Sequence, residues 1–260
     1  MEEKDKFEWA DVSTKDINIY FNSIRKSLSE SSYKRKYASI KTFFDFLYKE
    51  KYVYKEIFEN IRSPKVSTPI PKPLSEKDIN LLLDFKNKNK FYYRDSCIFM
   101  LMYSSGLRVS EVINIKLGQL DLDNHSVKVR GKGNKERILP IYENAVKCLI
   151  FFIKNIRPFF SKSNNFSSVL FSDKNSNIIS RQYVWRSLKK RGLEKGITKN
   201  ITPHMIRHSF ATHILKGGAS IRHVQEFLGH SSIESTQIYT KIPNQKLIED
   251  YNIAHPRGNK

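Results

Sequence analysis

Six side chains of this 260-residue chain could together hold and open a phosphodiester: Arg108, Lys132, His204, Arg207, His230 and Tyr239. Attack on such a bond makes a pentacoordinate phosphorane that carries more negative charge than the diester. Fixed cations have to meet that charge as it develops. Guanidinium suits the task because it is planar, permanently charged and able to grip two oxygens at once. Arg108 stands two residues after a glycine, in Gly106-Leu107-Arg108, where a helix is expected to start. His204 and Arg207 are three apart in Thr202-Pro203-His204-Met205-Ile206-Arg207-His208, and Pro203 marks a helix start. That spacing puts both on one face, able to touch one phosphate. Lys132, between Gly131 and Gly133, is a mobile cation at a turn and suits proton donation to a leaving oxygen. His230, ahead of a helix, can donate to a phosphate oxygen. Tyr239, nine residues later, supplies a phenolic hydroxyl for the attack.

Singly, each of these residues has an ordinary structural reading. Arginines and turn lysines are mostly solvated, and a Gly-His before a helix is most often a cap. A tyrosine usually packs its ring and leaves its hydroxyl wet, and Tyr239 is one of thirteen.

Positioning them needs a scaffold, and its elements can be read from periodicity. Ile61 to Pro73 contains four prolines, which fix their own φ and push the preceding residue out of the helical region. This stretch reads as an extended linker. It sets a small helical domain at 1–62, the linker at 63–73 and a mixed domain at 74–260. In the first domain a helix is expected from Lys15 to Ile24, with Ser13 or Thr14 as its cap. Tyr33, Tyr37, Ile40, Phe44 and Leu47 recur at helical spacing and make one buried face. Lys34, Arg35 and Lys41 lie off that stripe, where they form either a solvated basic face or a contact for a phosphate backbone.

In the second domain Ser75-Glu76-Lys77-Asp78 has capping-box spacing and should open a helix through Leu83. A helix through Cys97–Tyr103 ends near Gly106, and another is expected over Val109–Lys116. Then the period changes to two. Val127 and Val129, then Ile138 and Ile141, suggest short strands joined by the turn Gly131-Lys132-Gly133-Asn134. The remainder reads as mostly helical. Ser231 to Glu234 repeats the capping-box spacing and places Tyr239 on or just after a short helix. The fold class is therefore mainly α with a small antiparallel β-sheet.

Composition narrows the partner. The chain has 46 Lys and Arg against 26 Asp and Glu, a net charge of +20, which favours a polyanion. Residues 1–72 hold 15 basic and 11 acidic side chains, net +4, and residues 73–260 hold 31 and 15, net +16. No apolar run approaches the ~20 residues that span a bilayer. The charged start, Met1 to Lys6, has no apolar signal-peptide core behind it. Cys97 and Cys148 have no metal-like spacing and read as two buried thiols in a reducing cytosol. His204 and His208 are four apart, but no paired cysteines, His-Glu-x-x-His or clustered carboxylates accompany them. This weighs against a zinc protein or a metal-dependent nuclease.

In order, the motifs carry a specific resemblance. The matching stretches are Ser105-Gly106-Leu107-Arg108-Val109-Ser110-Glu111, Val129 to Arg137 around Gly131-Lys132-Gly133, and Thr202 to His213. The last are Gln225-Glu226-Phe227-Leu228-Gly229-His230-Ser231-Ser232 running to Tyr239-Thr240, and the ending His255-Pro256-Arg257. From about Trp9 onward the chain resembles the tyrosine recombinases, the integrase family, in their Xer branch. The resemblance implies that Tyr239 is the nucleophile, forming a 3′-phosphotyrosyl bond. It implies that Arg108 and Arg207 hold the non-bridging oxygens and that Lys132 is the general acid for the 5′ hydroxyl. His204 would do acid–base work on the tyrosine, His230 would bond the scissile phosphate, and Glu111 would support the site. No cofactor and no metal are implied.

The resemblance further implies an N-terminal helical core-binding, SAM-like domain and a catalytic domain that clamp opposite faces of double-stranded DNA. The family's usual first helical segment is expected to be missing ahead of Trp9. Four subunits, as a homotetramer or with a paralogous recombinase, would join two sites through a Holliday junction, with an accessory regulator. The C-terminal stripe Leu247, Ile248 and Tyr251 would dock in a neighbouring subunit. The role would be chromosome-dimer resolution or integration and excision of a mobile element. The implied location is cytoplasmic, on the nucleoid. Two alternatives remain: a type IB topoisomerase-like relaxing enzyme with a similar tyrosine site, and a non-catalytic DNA-binding relative on the same fold. The intact set of six residues weighs against the second.

Overall fold

The computed structural model describes residues 8–59, 61, 72–85, 89–131, 136–160, 168–229 and 245–258, without the side chains of 245–247. The chain divides into two compact units, Met1–Ile70 and Pro71–Lys260. Most of the proline-rich linker, 62–71, lies outside the described residues.

Among the described residues the first unit has two α-helices behind a short 3-10 turn, Trp9–Asp11. Helix α1 (Thr14–Arg25) starts at Ser13, whose hydroxyl accepts from Asp16 N while the Asp16 carboxylate accepts from Ser13 N at 2.9 Å. This reciprocal pair satisfies two amides that the first turn leaves without partners. Helix α2 (Glu30–Lys49) buries Tyr37, Phe44 and Leu47 against Ile17 and Phe21 of α1 and against Val53, Ile57 and Phe58, with Tyr33 and Ile40 packed on the rim. Phe21, Tyr37 and Phe58 meet edge-on or tilted at 5.4–6.4 Å. The Tyr37 hydroxyl donates to Ile61 O at 2.7 Å, so its one polar atom is not wasted in the core.

The second unit is built on a helix buried all round. Helix α3 (Glu76–Leu82) carries the expected box with Ser75 and Asp78. Helix α4 (Lys90–Ser105) is buried at every position from Arg94 to Ser105. Its near-continuous apolar run suits a central helix rather than a surface one. The two charges it buries, Arg94 and Asp95, bond each other and share the Tyr183 hydroxyl, with Ser172 O and Ser187 completing the set. Helix α4 stops at Gly106, whose φ of +61° is left-handed. A Cβ there would lie 2.5 Å from the Phe210 ring, so only glycine fits both the turn and the close approach.

Helix α5 (Val109–Ile113) is shorter than the expected Val109–Lys116. Ile115 and Lys116 leave the helix to pair with another segment. Ile115 O accepts from Leu170 N at 2.7 Å, and Lys116 forms a bridge with Val169. Long-range pairing overrides local helix preference here. The sheet is antiparallel in the order β1 (Leu120–Asp121), β2 (Ser126–Arg130), β3 (Glu136–Pro140), with Val127 opposite Leu139 and Val129 opposite Arg137. Strand β1 is too short to show a period. Ile141 falls just past β3, buried, with its amide donating to His125 O. Ser105 Oγ donates to Pro140 O at 2.8 Å and ties β3 to the end of α4.

Helices α6 (Glu143–Phe151), α7 (Arg181–Glu194), α8 (Pro203–Lys216), α9 (Ile221–Leu228) and α10 (Gln245–Ala254) complete the unit. The stretch expected to be mostly helical stays helical through Phe152–Ile156, a π-helical turn, and Arg157–Phe160, a 3-10 turn. It departs from helix near Asp173, whose carboxylate accepts from the Asn175 and Asn177 amides and offers the backbone an alternative to helix. Of the stripe Leu247, Ile248 and Tyr251, the Leu247 side chain lies outside the described residues and Tyr251 is wholly buried in this chain's own core. Its hydroxyl donates to Ser104 O at 2.9 Å. Cys97 is buried and Cys148 half-buried, and both are free thiols. Among the described residues no helix is long and apolar enough to cross a membrane.

Candidate active site

Two turns and one helix start bring the described part of the site together. Arg108 is the N-cap residue of α5, delivered by the left-handed turn at Gly106. Glu111, three residues on, folds back so that its Oε2 accepts from Arg108 N at 2.7 Å and its Oε1 from Arg108 Nη1 at 3.0 Å. The Arg108 side chain is 33% exposed, enough for its guanidinium to meet a ligand, whereas Glu111 is 6% exposed and serves inward.

Arg207 comes from α8, which begins as expected. Thr202 caps it by accepting from Met205 N at 3.2 Å, and Pro203 fills the first turn. The Arg207 guanidinium donates to Gly106 O at 2.6 Å and to Leu228 O at 2.5 Å, and its Nη1 lies 3.9 Å from Glu111 Oε2. It therefore braces the turn that delivers Arg108 against the carbonyl end of α9, where a cation is favoured. Burial, with Arg108 close by, pushes its pKa down to about 10, and Glu111 partly offsets this. It remains charged at neutral pH. His204 stands one turn earlier on α8 and is exposed, on the side of the helix open to solvent.

Lys132, His230 and Tyr239 lie outside the described residues. The residues directly before Lys132 and His230, Gly131 and Gly229, are described. Gly131 closes a cleft of about 450 Å³ that also takes in Arg108, Glu111, Asn114, Gln119 and Arg130. Helix α9 ends at Leu228 in a left-handed Gly229, directly before His230.

Sequence reading left Arg137 without a role. From β3 its Nη2 donates to both Glu111 oxygens at 3.0 Å, and its Nε donates to Phe227 O at 3.3 Å. A Cβ on Gly229 would sit 3.3 Å from the Arg137 Cζ, so the glycine gives that guanidinium its room. The only signal in the sequence was position: Arg137 closes the Val129–Arg137 motif, six residues after Gly131. Three guanidiniums thus surround one carboxylate, and the cluster keeps net positive charge.

Lys34, Arg35 and Lys41 lie on α2 in the other unit. Lys34 and Arg35 are exposed. Lys41 is paired with Asp45 at 2.8 Å, and that hydrogen bond holds its pKa above the usual lysine range. Among the described residues no group of three or more His, Cys, Asp or Glu side chains is placed to hold a metal ion.

Comparison with known proteins shows the family of the chain. Residues 72–246 match the profile of the phage integrase family, and residues 1–51 match that of the phage integrase N-terminal SAM-like domain. The chain is 40% identical to the tyrosine recombinase XerD of Staphylococcus saprophyticus over 231 residues, 88% of this chain and 78% of the relative. It is similar to the crystal structure of XerA recombinase at 30% identity and a TM-score of 0.56, covering 96% of this chain and 86% of that one. It shares the fold of XerH site-specific recombinase bound to palindromic difH substrate in a post-cleavage complex. There the identity is 20%, the TM-score 0.73 and the coverage 86% and 67%. With both units matched, and most of its length aligned to a tyrosine recombinase, this chain belongs to the phage integrase family.

Proposed function

We propose that this chain is a tyrosine site-specific recombinase that cuts and rejoins DNA strands through Tyr239. The observation that carries this reading is the gathering of Arg108 and Arg207 around Glu111, with Arg108 open to solvent beside the Gly131 cleft. Two guanidiniums so held can bind the non-bridging oxygens of one phosphodiester and meet the charge of the phosphorane. The Tyr239 hydroxyl attacks phosphorus, and its proton passes to His204. The Oη–P bond forms as the P–O5′ bond breaks, and Lys132 gives the departing 5′ oxygen its proton. His230 donates to the phosphate. The bond energy stays in the 3′-phosphotyrosine, so the 5′ hydroxyl of another strand can reverse the step. Glu111 orients Arg108 rather than touching the phosphate.

Four subunits act on two double-stranded DNA sites, as one kind or shared with a paralogous recombinase and an accessory regulator. They work through a Holliday junction in the cytoplasm. The role is chromosome-dimer resolution or movement of a mobile element; a prophage or transposon boundary beside the gene would point to the latter. The first unit contributes affinity through Lys34 and Arg35. The relatives named above are recombinases by name, and one was captured on its DNA substrate, which supports this reading.

The test is covalent capture. Wild-type protein mixed with sheared chromosomal DNA of its source and quenched with detergent should carry bound DNA, and sequencing that DNA gives the site. A nicked duplex of the site then traps the adduct, because the leaving strand diffuses away. Tyr239→Phe should form none. Adduct from Tyr239→Phe would displace the nucleophile, and no adduct from the wild type would overturn the function.

A further inference from the structure

The three guanidiniums around Glu111 hold it unequally. Arg137 reaches both carboxylate oxygens at 3.0 Å, Arg108 reaches one from its side chain at 3.0 Å, and Arg207 stands off at 3.9 Å. The Arg137 and Glu111 side chains are 15% and 6% exposed. In such a site solvent does little to replace a lost partner. Arg137 is also fixed from behind by Phe227 O, so its place does not depend on a bound phosphate.

We propose that Arg137 is a positioning residue of the strand-cleavage reaction: it occupies Glu111 so that this carboxylate does not draw Arg108 and Arg207 away from the scissile phosphate. The proposal rests on the reading of those two arginines as the phosphate clamp. Its physical basis is competition. Without Arg137, a nearly buried carboxylate has two neighbouring cations to turn to, and they are the two that the phosphate needs. The same ion pair ties β3, the strand that follows Lys132, to α5, which Arg108 caps. One contact thus serves two sides of the site.

Competition makes a prediction that a merely structural role does not. On the nicked duplex defined above, Arg137→Met should slow single-turnover adduct formation about 100-fold, as a misplacement of about 1 Å does. Adding Glu111→Gln removes the competing charge. The double variant should then recover about tenfold of the loss, a coupling of ordinary size for contacting residues. Arg137→Lys, which keeps the charge and loses the fork, should fall between Arg137→Met and the wild type. Melting curves accompany each rate. If Arg137→Met does not fold, Arg137→Lys and its double with Glu111→Gln carry the same comparison. A double variant no faster than its Arg137 parent overturns the proposal, and so does an Arg137→Met protein that cleaves at the wild-type rate. Absence of adduct from the wild type would instead overturn the underlying reading, so the two failures are distinct.

Discussion

Arg207 is buried, yet the proposed reaction needs its charge. The structure reconciles the two by giving its guanidinium two carbonyl acceptors, Gly106 O and Leu228 O, and a carboxylate at 3.9 Å. At this scale the proposed roles predict separable effects. Arg108→Ala or Arg207→Ala should lower the rate of adduct formation by about 10²–10³-fold, the range for losing one preorganised charge donor. Gel-shift affinity for the same duplex should fall much less. A parallel collapse of binding would mean that these arginines hold the duplex and not the transition state. Lys132→Ala should slow cleavage of an ordinary 5′ oxygen, and a 5′-thiol leaving group of low pKa should restore the rate, because it needs no proton. Failure of that rescue would move the general acid elsewhere. Glu111 was indicated by the family resemblance as a support for the site, and its bonds to Arg108 are local ones. Arg137 was not, because it is 26 residues away and arrives only when the β2–β3 hairpin returns.

At the scale of elements, caps and stripes were readable because they depend on neighbours in sequence. Ser13 with Asp16 and Ser75 with Asp78 form the reciprocal bonds their spacing calls for. The stripe on α2 faces the core as its period requires. Phe44→Ala should therefore destabilise the first unit by about 3–5 kcal/mol, the usual cost of emptying a packed aromatic site. A urea titration measures it, and a loss under 1 kcal/mol would show that the stripe is not the core. On the opposite side, Lys34→Ala should weaken DNA binding and reduce the slope of log affinity against log salt by about one. Lys41→Ala should do so less, since Asp45 already neutralises that lysine. Equal slopes for the two variants would count against the assignment. The shortened α5 was not readable: the reason it ends at Ile113 lies in the distant segment that pairs with Ile115 and Lys116.

At the scale of the whole molecule, the C-terminal residues close the second core. Tyr251 is wholly buried beneath α4, and His255 packs its ring against Tyr103, Tyr142 and Tyr251 at 4.9–5.2 Å. Burial pushes the His255 pKa down to about 3, against a weaker upward pull from the Tyr103 backbone. Above the unfolded-state value near 6.5, neither the folded nor the unfolded chain binds this proton. As the pH falls below that value the unfolded chain takes it up first. Stability should then drop by about 1.4 kcal/mol per pH unit until the folded pKa is reached. Denaturant midpoints at pH 7 and pH 5 check this. A His255→Gln protein whose loss between those two pH values equals the wild type's would show that another group carries the effect.

The amino-acid sequence by itself determined several helix starts, the buried stripe of the first unit, a helix end near Gly106, the basic character and the order of Arg108, Lys132, His204, Arg207, His230 and Tyr239. All of these follow from local spacing or from composition, which survive without a fold. Only the tertiary structure decided that Glu111 sits among three guanidiniums, that Arg207 braces Gly106 against the end of α9, and that Tyr251 lies in its own chain's core. Those facts join residues tens of positions apart. Their partners are set by how packed elements return to one another, not by any period along the chain.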